Sequence, residues 1–121
     1  MITEDYVSFE TAELLKEKGF EEECVYFYDW DEEDKIYRIC SNGGSCNEAR
    51  FPSYYSMPTL QMVMKWLREV HDIDVSVVPL RSHKEYLPRI EGDITSHDDI
   101  PCRKYEEAAE VAIKYCLEHL I

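Results

Sequence analysis

Two kinds of hydrophobic periodicity alternate along this chain of 121 residues, and their order limits the folds that it can adopt. Three stretches repeat apolar residues at helical spacing, and between them lie two pairs of short runs rich in β-branched and aromatic residues. The pattern predicts the order α-β-β-α-β-β-α. We therefore expect an α+β fold in a single domain, 1–121, with three helices on an antiparallel sheet of about four strands from two hairpins.

The predicted helices cover residues 9–18, 59–71 and 104–120. Ser8 is a typical N-cap for the first helix, and Gly19 is a typical stop that is free to adopt a left-handed conformation. The second helix is apolar over more than half of its circumference, which indicates extensive burial. The third presents several alanines on its apolar face, which favours close packing on a sheet.

The first hairpin is predicted at 24–28 and 35–40, on either side of an acidic segment, and the second at 73–78 and 86–90, where Pro88 interrupts the second run. Residues 41–58 hold two of the four glycines and two of the five prolines, so we predict a long loop there. A short edge strand at 51–55 is an open alternative within it.

Three segments together resemble a family of small uncharacterised proteins encoded by gut anaerobes and their phages. The segments are 7–20 (VSFETAELLKEKGF), 58–71 (PTLQMVMKWLREVH) and 105–117 (YEEAAEVAIKYCL). That family has no assigned activity, so the resemblance implies a phage-like context and transfers no catalytic or binding residue. Each segment is also explained as an amphipathic helix.

Charge is distributed unevenly along the chain. The 26 acidic and 13 basic residues give a net charge of −13. Residues 1–34 contribute −11, with Lys16 and Lys18 as their only bases, and residues 35–121 contribute −2. This charge disfavours direct binding to nucleic acid and to anionic membranes, and it favours a basic protein as partner. The alternative is that acidity only keeps the protein in solution.

The sharpest local feature is a run of five carboxylates in six positions, 29–34, at the tip of the first predicted hairpin. A calcium loop of the helix-loop-helix type needs Gly sixth and Glu twelfth, where this chain has Asp34 and Cys40, so that motif is excluded. Two interpretations stay open, a solvated turn that protects the hairpin tip and a docking patch for a basic protein. The candidate partner-binding residues are Asp29, Asp31, Glu32, Glu33 and Asp34, together with the aromatic residues Tyr54, Tyr55 and Trp66. Core packing is the alternative for these aromatic residues.

The spacing of the cysteines and histidines does not fit a zinc site. The five cysteines (24, 40, 46, 102 and 116) and four histidines (71, 83, 97 and 119) show no zinc spacing, and we predict neither metal nor cofactor. Cys102, beside Arg103 and Lys104, is the best-placed nucleophile. An odd cysteine count without a CxxC pair, no secretory signal and no apolar run of about 20 residues together predict a cytoplasmic protein without a membrane span.

One region is locally basic, with Arg81, Lys84, Arg89, Arg103 and Lys104 near His83 and Tyr86. It is either a small patch for acidic ligands or ordinary surface charge. We expect a non-catalytic, acidic, cytoplasmic protein-interaction module. The alternatives are an acidic nucleic-acid mimic of phage origin and a small cysteine-dependent enzyme.

Overall fold

A computed structural model of the chain describes residues 1–82, 84–91 and 101–121, and these form two compact units, Met1–Thr59 and Leu60–Ile121. The α+β class and the predicted element order are confirmed, with one additional short strand. The elements are α1 (Phe9–Glu17), β1 (Cys24–Asp31), β2 (Ile36–Gly44), β3 (Tyr54–Ser56), α2 (Leu60–Val70), β4 (Val75–Leu80), β5 (Glu85–Ile90), α3 (Tyr105–Tyr115) and a π-helical turn (Cys116–Leu120). The single domain stays a prediction.

Helix α1 begins and ends at the predicted signals. The Ser8 hydroxyl accepts a hydrogen bond from the Thr11 amide at 3.3 Å, so it caps the first turn. Gly19 has a φ of 88°, and the Phe20 amide beyond it donates to the Leu15 carbonyl at 2.9 Å. Phe20 and Leu15 are both fully buried. The chain therefore leaves α1 with a large apolar side chain already in the core.

The first unit contains a three-stranded antiparallel sheet in the order β2-β1-β3. Trp30 is paired with Tyr37 across β1 and β2, and Tyr28 is paired with Tyr55 across β1 and β3. The first two strands are longer than predicted, because cross-strand pairing extends them through residues of low strand propensity such as Asp29 and Gly43. The short strand β3 (Tyr54–Ser56) lies inside the predicted loop, 41–58, near its C-terminal end.

Helix α1 packs against this sheet on the side of β3. The Tyr28 hydroxyl donates to the Val7 carbonyl at 2.6 Å, which ties the segment before the helix to the central strand. The apolar core of this unit consists of Val7, Ala12, Leu15, Phe20, Cys24, Phe27, Tyr28 and Cys46. Helix α1 and the segment before it therefore contact both the edge strand β3 and the central strand β1.

The second unit contains the β4-β5 hairpin, against which α3 packs, and α2 contacts both α3 and β4. Its core contains the predicted alanine face of α3 at Ala108, Ala109 and Ala112, which are all buried. Pro79 and Pro88 lie within the two strands. Proline lacks an amide donor, and a two-stranded sheet leaves each strand an edge where no donor is required. Within the described ranges, the strands form one sheet of three and one of two.

Candidate functional site

The five carboxylates at 29–34, here called the acidic hairpin, surround the turn from β1 to β2. One carboxylate oxygen of Asp31 accepts hydrogen bonds from the Glu33 amide at 3.0 Å and the Asp34 amide at 3.2 Å. Lys35 then adopts a left-handed conformation, with a φ of 55°, before β2 begins. An aspartate that bonds to the amides following it is a common way of fixing a tight turn. The acidic hairpin therefore has a defined backbone.

Glu32 is held on the outside of this turn by two neighbours. The indole Nε1 of Trp30 donates to Glu32 Oε2 at 2.7 Å, and the Lys35 ammonium pairs with the other oxygen. The hydrogen bonds from Lys35 and from Trp30 lower the pKa of Glu32. The Glu32 side chain is 75% exposed, and its two contacts join the indole of Trp30 to the residue that follows the turn.

Asp29 has internal partners. Its two carboxylate oxygens accept from Arg38 Nη2 at 3.0 Å and from Ser53 Oγ at 3.2 Å, and only 22% of its side chain is exposed. Asp29 thus joins β2 to the segment that leads into β3. Glu33 and Asp34 are exposed and have no ion-pair partner among the described residues. Of the predicted acids, these two are available to a partner.

Each of the predicted aromatic residues has packing contacts or is buried. Tyr55 contacts Phe9 of α1, with ring centroids 5.2 Å apart. Tyr54 points to the opposite face of the sheet and lies 4.6 Å from Phe27. Both tyrosines are half-buried, and Trp66, in the second unit, is only 6% exposed. Tyr54 and Tyr55 therefore lie on opposite faces of their sheet, and packing accounts for all three residues.

A different aromatic group, which sequence reasoning missed, adjoins the acidic hairpin. Phe9 stacks nearly parallel to Trp30 and Tyr37, at centroid distances of 5.2 and 4.9 Å. Tyr37 is 47% exposed. The sequence does contain a signal for this group. Aromatic residues alternate with period two at Tyr26, Tyr28 and Trp30, which places these three rings on one face of β1.

Lys16 is a second residue that the sequence did not single out. Its ammonium donates to the backbone carbonyls of Phe51 at 2.8 Å and Tyr54 at 2.6 Å, and it lies 4.6 Å from the centroid of the Tyr55 ring. Burial lowers the pKa of Lys16, and the nearby Cys46 partly offsets this. The side chain fastens the end of the long loop to α1. It is not exposed as a binding cation.

Three of the cysteines have thiols whose pKa values are shifted away from activation. Burial raises the pKa of Cys24 to about 11, and burial also raises the pKa values of Cys46 and Cys102, with Glu107 contributing at Cys102. A nucleophilic cysteine needs a shift in the opposite direction. No three His, Cys, Asp or Glu side chains in the described ranges lie close enough to hold a metal ion. Two of the histidines, His83 and His97, lie outside those ranges.

The basic region is spread over the second unit. Arg81 and Lys84 are exposed at the turn between β4 and β5. A two-way backbone bridge joins Tyr86 to Cys102, at 2.7 and 2.8 Å, which brings the segment before α3 to the same hairpin. Arg89 lies 3.9 Å from Glu91, too long for a hydrogen bond. The region is a loose set of surface cations.

None of the helices in the described ranges is both long enough and apolar enough to cross a bilayer. Comparisons with models of known protein families, with curated proteins and with solved structures found no match. The resemblance to proteins of gut anaerobes and their phages stays a prediction.

Proposed function

We propose that the first unit is a non-catalytic binding module whose acidic hairpin recognises a basic protein in the cytoplasm. The observation that carries this proposal is the turn fixed by Asp31, which presents the exposed carboxylates of Glu33 and Asp34. A turn that is ordered before binding loses little conformational entropy when a partner docks.

The surrounding charge supports the same proposal. Residues 1–59 contain 14 acidic and five basic residues, a net charge of −9. Two of those bases, Lys35 and Arg38, are paired with acids of the hairpin itself. Such a field accelerates encounter with a basic surface, and salt weakens it because exposed charges are screened within about 10 Å at 0.1 M.

The test compares two triple variants of equal charge. The first, Asp31→Asn, Glu33→Gln and Asp34→Asn, neutralises the turn and keeps a side-chain amide oxygen at position 31 as an acceptor for both backbone amides. The second, Glu21→Gln, Glu22→Gln and Glu23→Gln, removes the same charge just before β1, roughly 25 Å away along an eight-residue strand.

Immobilised wild type and both variants are used to capture basic proteins from a lysate of the native cells, at low and at high salt. We expect at least one basic protein to be retained by the wild type and the second variant, lost by the first, and released by salt. Equal capture by all three proteins would show that the turn is only a solvated tip. Equal loss by both variants would show that only the overall charge matters.

The second candidate function is that of a nucleic-acid mimic. A competition experiment on the captured protein distinguishes this function from the first. If the hairpin imitates a phosphate backbone, duplex DNA should displace the captured protein in competition. If DNA does not compete, the partner recognises the hairpin as a protein surface.

A further inference from the structure

Strand β2 is an exposed apolar edge. Ile36, Tyr37 and Ile39 are 54%, 47% and 57% exposed. In the part of the chain that the structure describes, no strand pairs with β2 on the side away from β1. Proteins normally protect edge strands by short length, by proline or by charged side chains. This strand is nine residues long, contains no proline, and has one charged residue, Arg38, which is paired with Asp29.

We propose that the β2 edge binds an extended basic segment of a partner protein as a fourth strand of the sheet. This proposal rests on the proposed function and specifies how the partner docks. In strand addition, main-chain hydrogen bonds supply affinity, and alternate side chains supply specificity. Both requirements can be met here, because no other described strand occupies the outer edge of β2, and exposed apolar side chains lie along it.

The register of the sheet specifies the partner's side chains. Tyr37 and Ile39 share a face with Trp30 and Tyr28, because each pair is aligned across β1 and β2. Arg38 and Ile36 are aligned with Asp29 and Asp31 on the opposite face. An added strand therefore places alternate residues beside Tyr37 and Ile39, where apolar side chains fit. Its other residues lie on the face of Ile36 and Arg38. Arg38 is already paired with Asp29, and the exposed carboxylates of Glu33 and Asp34 at the nearby turn favour lysine or arginine in the added strand.

Charge selects the basic segment over a second copy of this chain. Pairing two β2 edges would bring together two units with a net charge of −9 each, and like charge opposes association. A basic segment gains from the same field. The bound segment is therefore an extended strand of alternating apolar and basic residues.

The experiment uses the full chain and a ten-residue probe peptide that alternates valine and lysine. A matched peptide has the same side chains but N-methyl groups on two adjacent central residues, which removes main-chain donors on both of its edges. On the protein, Ile39→Gln removes an exposed apolar side chain from the edge. The matched variant Val25→Gln removes an exposed apolar side chain from the central strand β1, where Val25 is 67% exposed.

The affinity of each peptide is measured by titration, and the amide exchange of residues 36–40 is measured by NMR.

We expect the probe to bind and to slow amide exchange in β2, the N-methylated peptide to bind at least tenfold more weakly, and Ile39→Gln to weaken binding more than Val25→Gln. Equal binding of both peptides would overturn strand addition. If the neutralised hairpin variant also failed to bind the peptides, the result would support the proposed function of the acidic hairpin without strand addition. Failure of the probe to bind while the hairpin still captures a basic protein would likewise overturn only strand addition. A chain that dimerises through residues 36–40 and excludes the probe would show that the occupant is a second copy.

Discussion

Gly43 in β2 lies directly against the backbone of Cys24, its neighbour across the bulged end of the first sheet. A Cβ atom at Gly43 would come within 2.7 Å of the Cys24 carbonyl oxygen and 3.1 Å of Cys46 Sγ. A carbonyl of a paired strand cannot move away as a flexible side chain can. We expect Gly43→Ala to lower the free energy of unfolding by about 1–3 kcal/mol, the usual cost of overpacking.

Urea denaturation measures this loss. Ser41→Ala, at an exposed position of the same strand, is the control, and it should change stability by less than about 0.5 kcal/mol. A Gly43→Ala protein as stable as the wild type would show that the two strands are farther apart than in the structure.

Removing the Lys16 ammonium should loosen the end of the long loop. Lys16→Met keeps the apolar stem but leaves the carbonyls of Phe51 and Tyr54 without their donor. Because water can reach these carbonyls in part, we expect a loss of about 1–2 kcal/mol, toward the lower end for a charged hydrogen bond. Faster amide exchange confined to residues 51–56 would localise the effect. Lys65→Met, at an exposed position of α2, should be neutral, and an equal loss there would argue against a specific role for Lys16.

The Asp31 side chain should stabilise the turn through its oxygen and not through its charge. Asp31→Ala removes the acceptor of two amide hydrogen bonds and should cost about 1 kcal/mol. Asp31→Asn keeps an oxygen there and should cost less. Thermal unfolding of the two variants separates these effects. Equal destabilisation would mean that charge dominates, and the neutralised hairpin variant would then need a different substitution at this position.

Alkaline pH should destabilise the protein partly through Cys24. Burial raises its pKa in the folded state from an ordinary value of 9.0 to about 11, so folding favours the protonated thiol. That contribution is fully present below pH 9 and is lost as pH rises to about 11, by no more than about 2 kcal/mol after solvent screening. The raised pKa values of Cys46, Cys102 and Tyr55 act in the same direction. The informative quantity is therefore the difference between the wild type and Cys24→Ala, and parallel stability curves from pH 8 to 11 would contradict the prediction.

Local signals in the sequence were sufficient for the helices but not for the strand ends. Ser8 and Gly19 act through hydrogen bonds that span at most five positions, so their effects can be read from the sequence. Asp29 and Asp31 were predicted as part of a turn, and both belong to β1 because Arg38 and Ile36 pair with them across the sheet. Strand length there is decided by a partner that the local pattern does not contain.

The same distinction explains the candidate site. The acidic run at 29–34 is a property of consecutive residues, and it adjoins the turn of the first hairpin as predicted, although Asp29 and Asp31 lie within β1. The contacts of Tyr54 and Tyr55 depend on which face of β3 each occupies, and a three-residue strand gives too short a pattern to show this. The Lys16 contacts join residues more than 30 positions apart, for which no local signal exists.

Each of the two compact units contains one of the chain's two tryptophans. Trp30 is partly exposed beside Phe9, and Trp66 is buried and packs edge-on against His71, with ring centroids 4.6 Å apart. Their emission spectra should therefore differ, so the proteins Trp30→Phe and Trp66→Phe would each report the melting of one half of the molecule. Coincident transitions would reveal a single cooperative domain, and separate transitions would reveal two that fold independently.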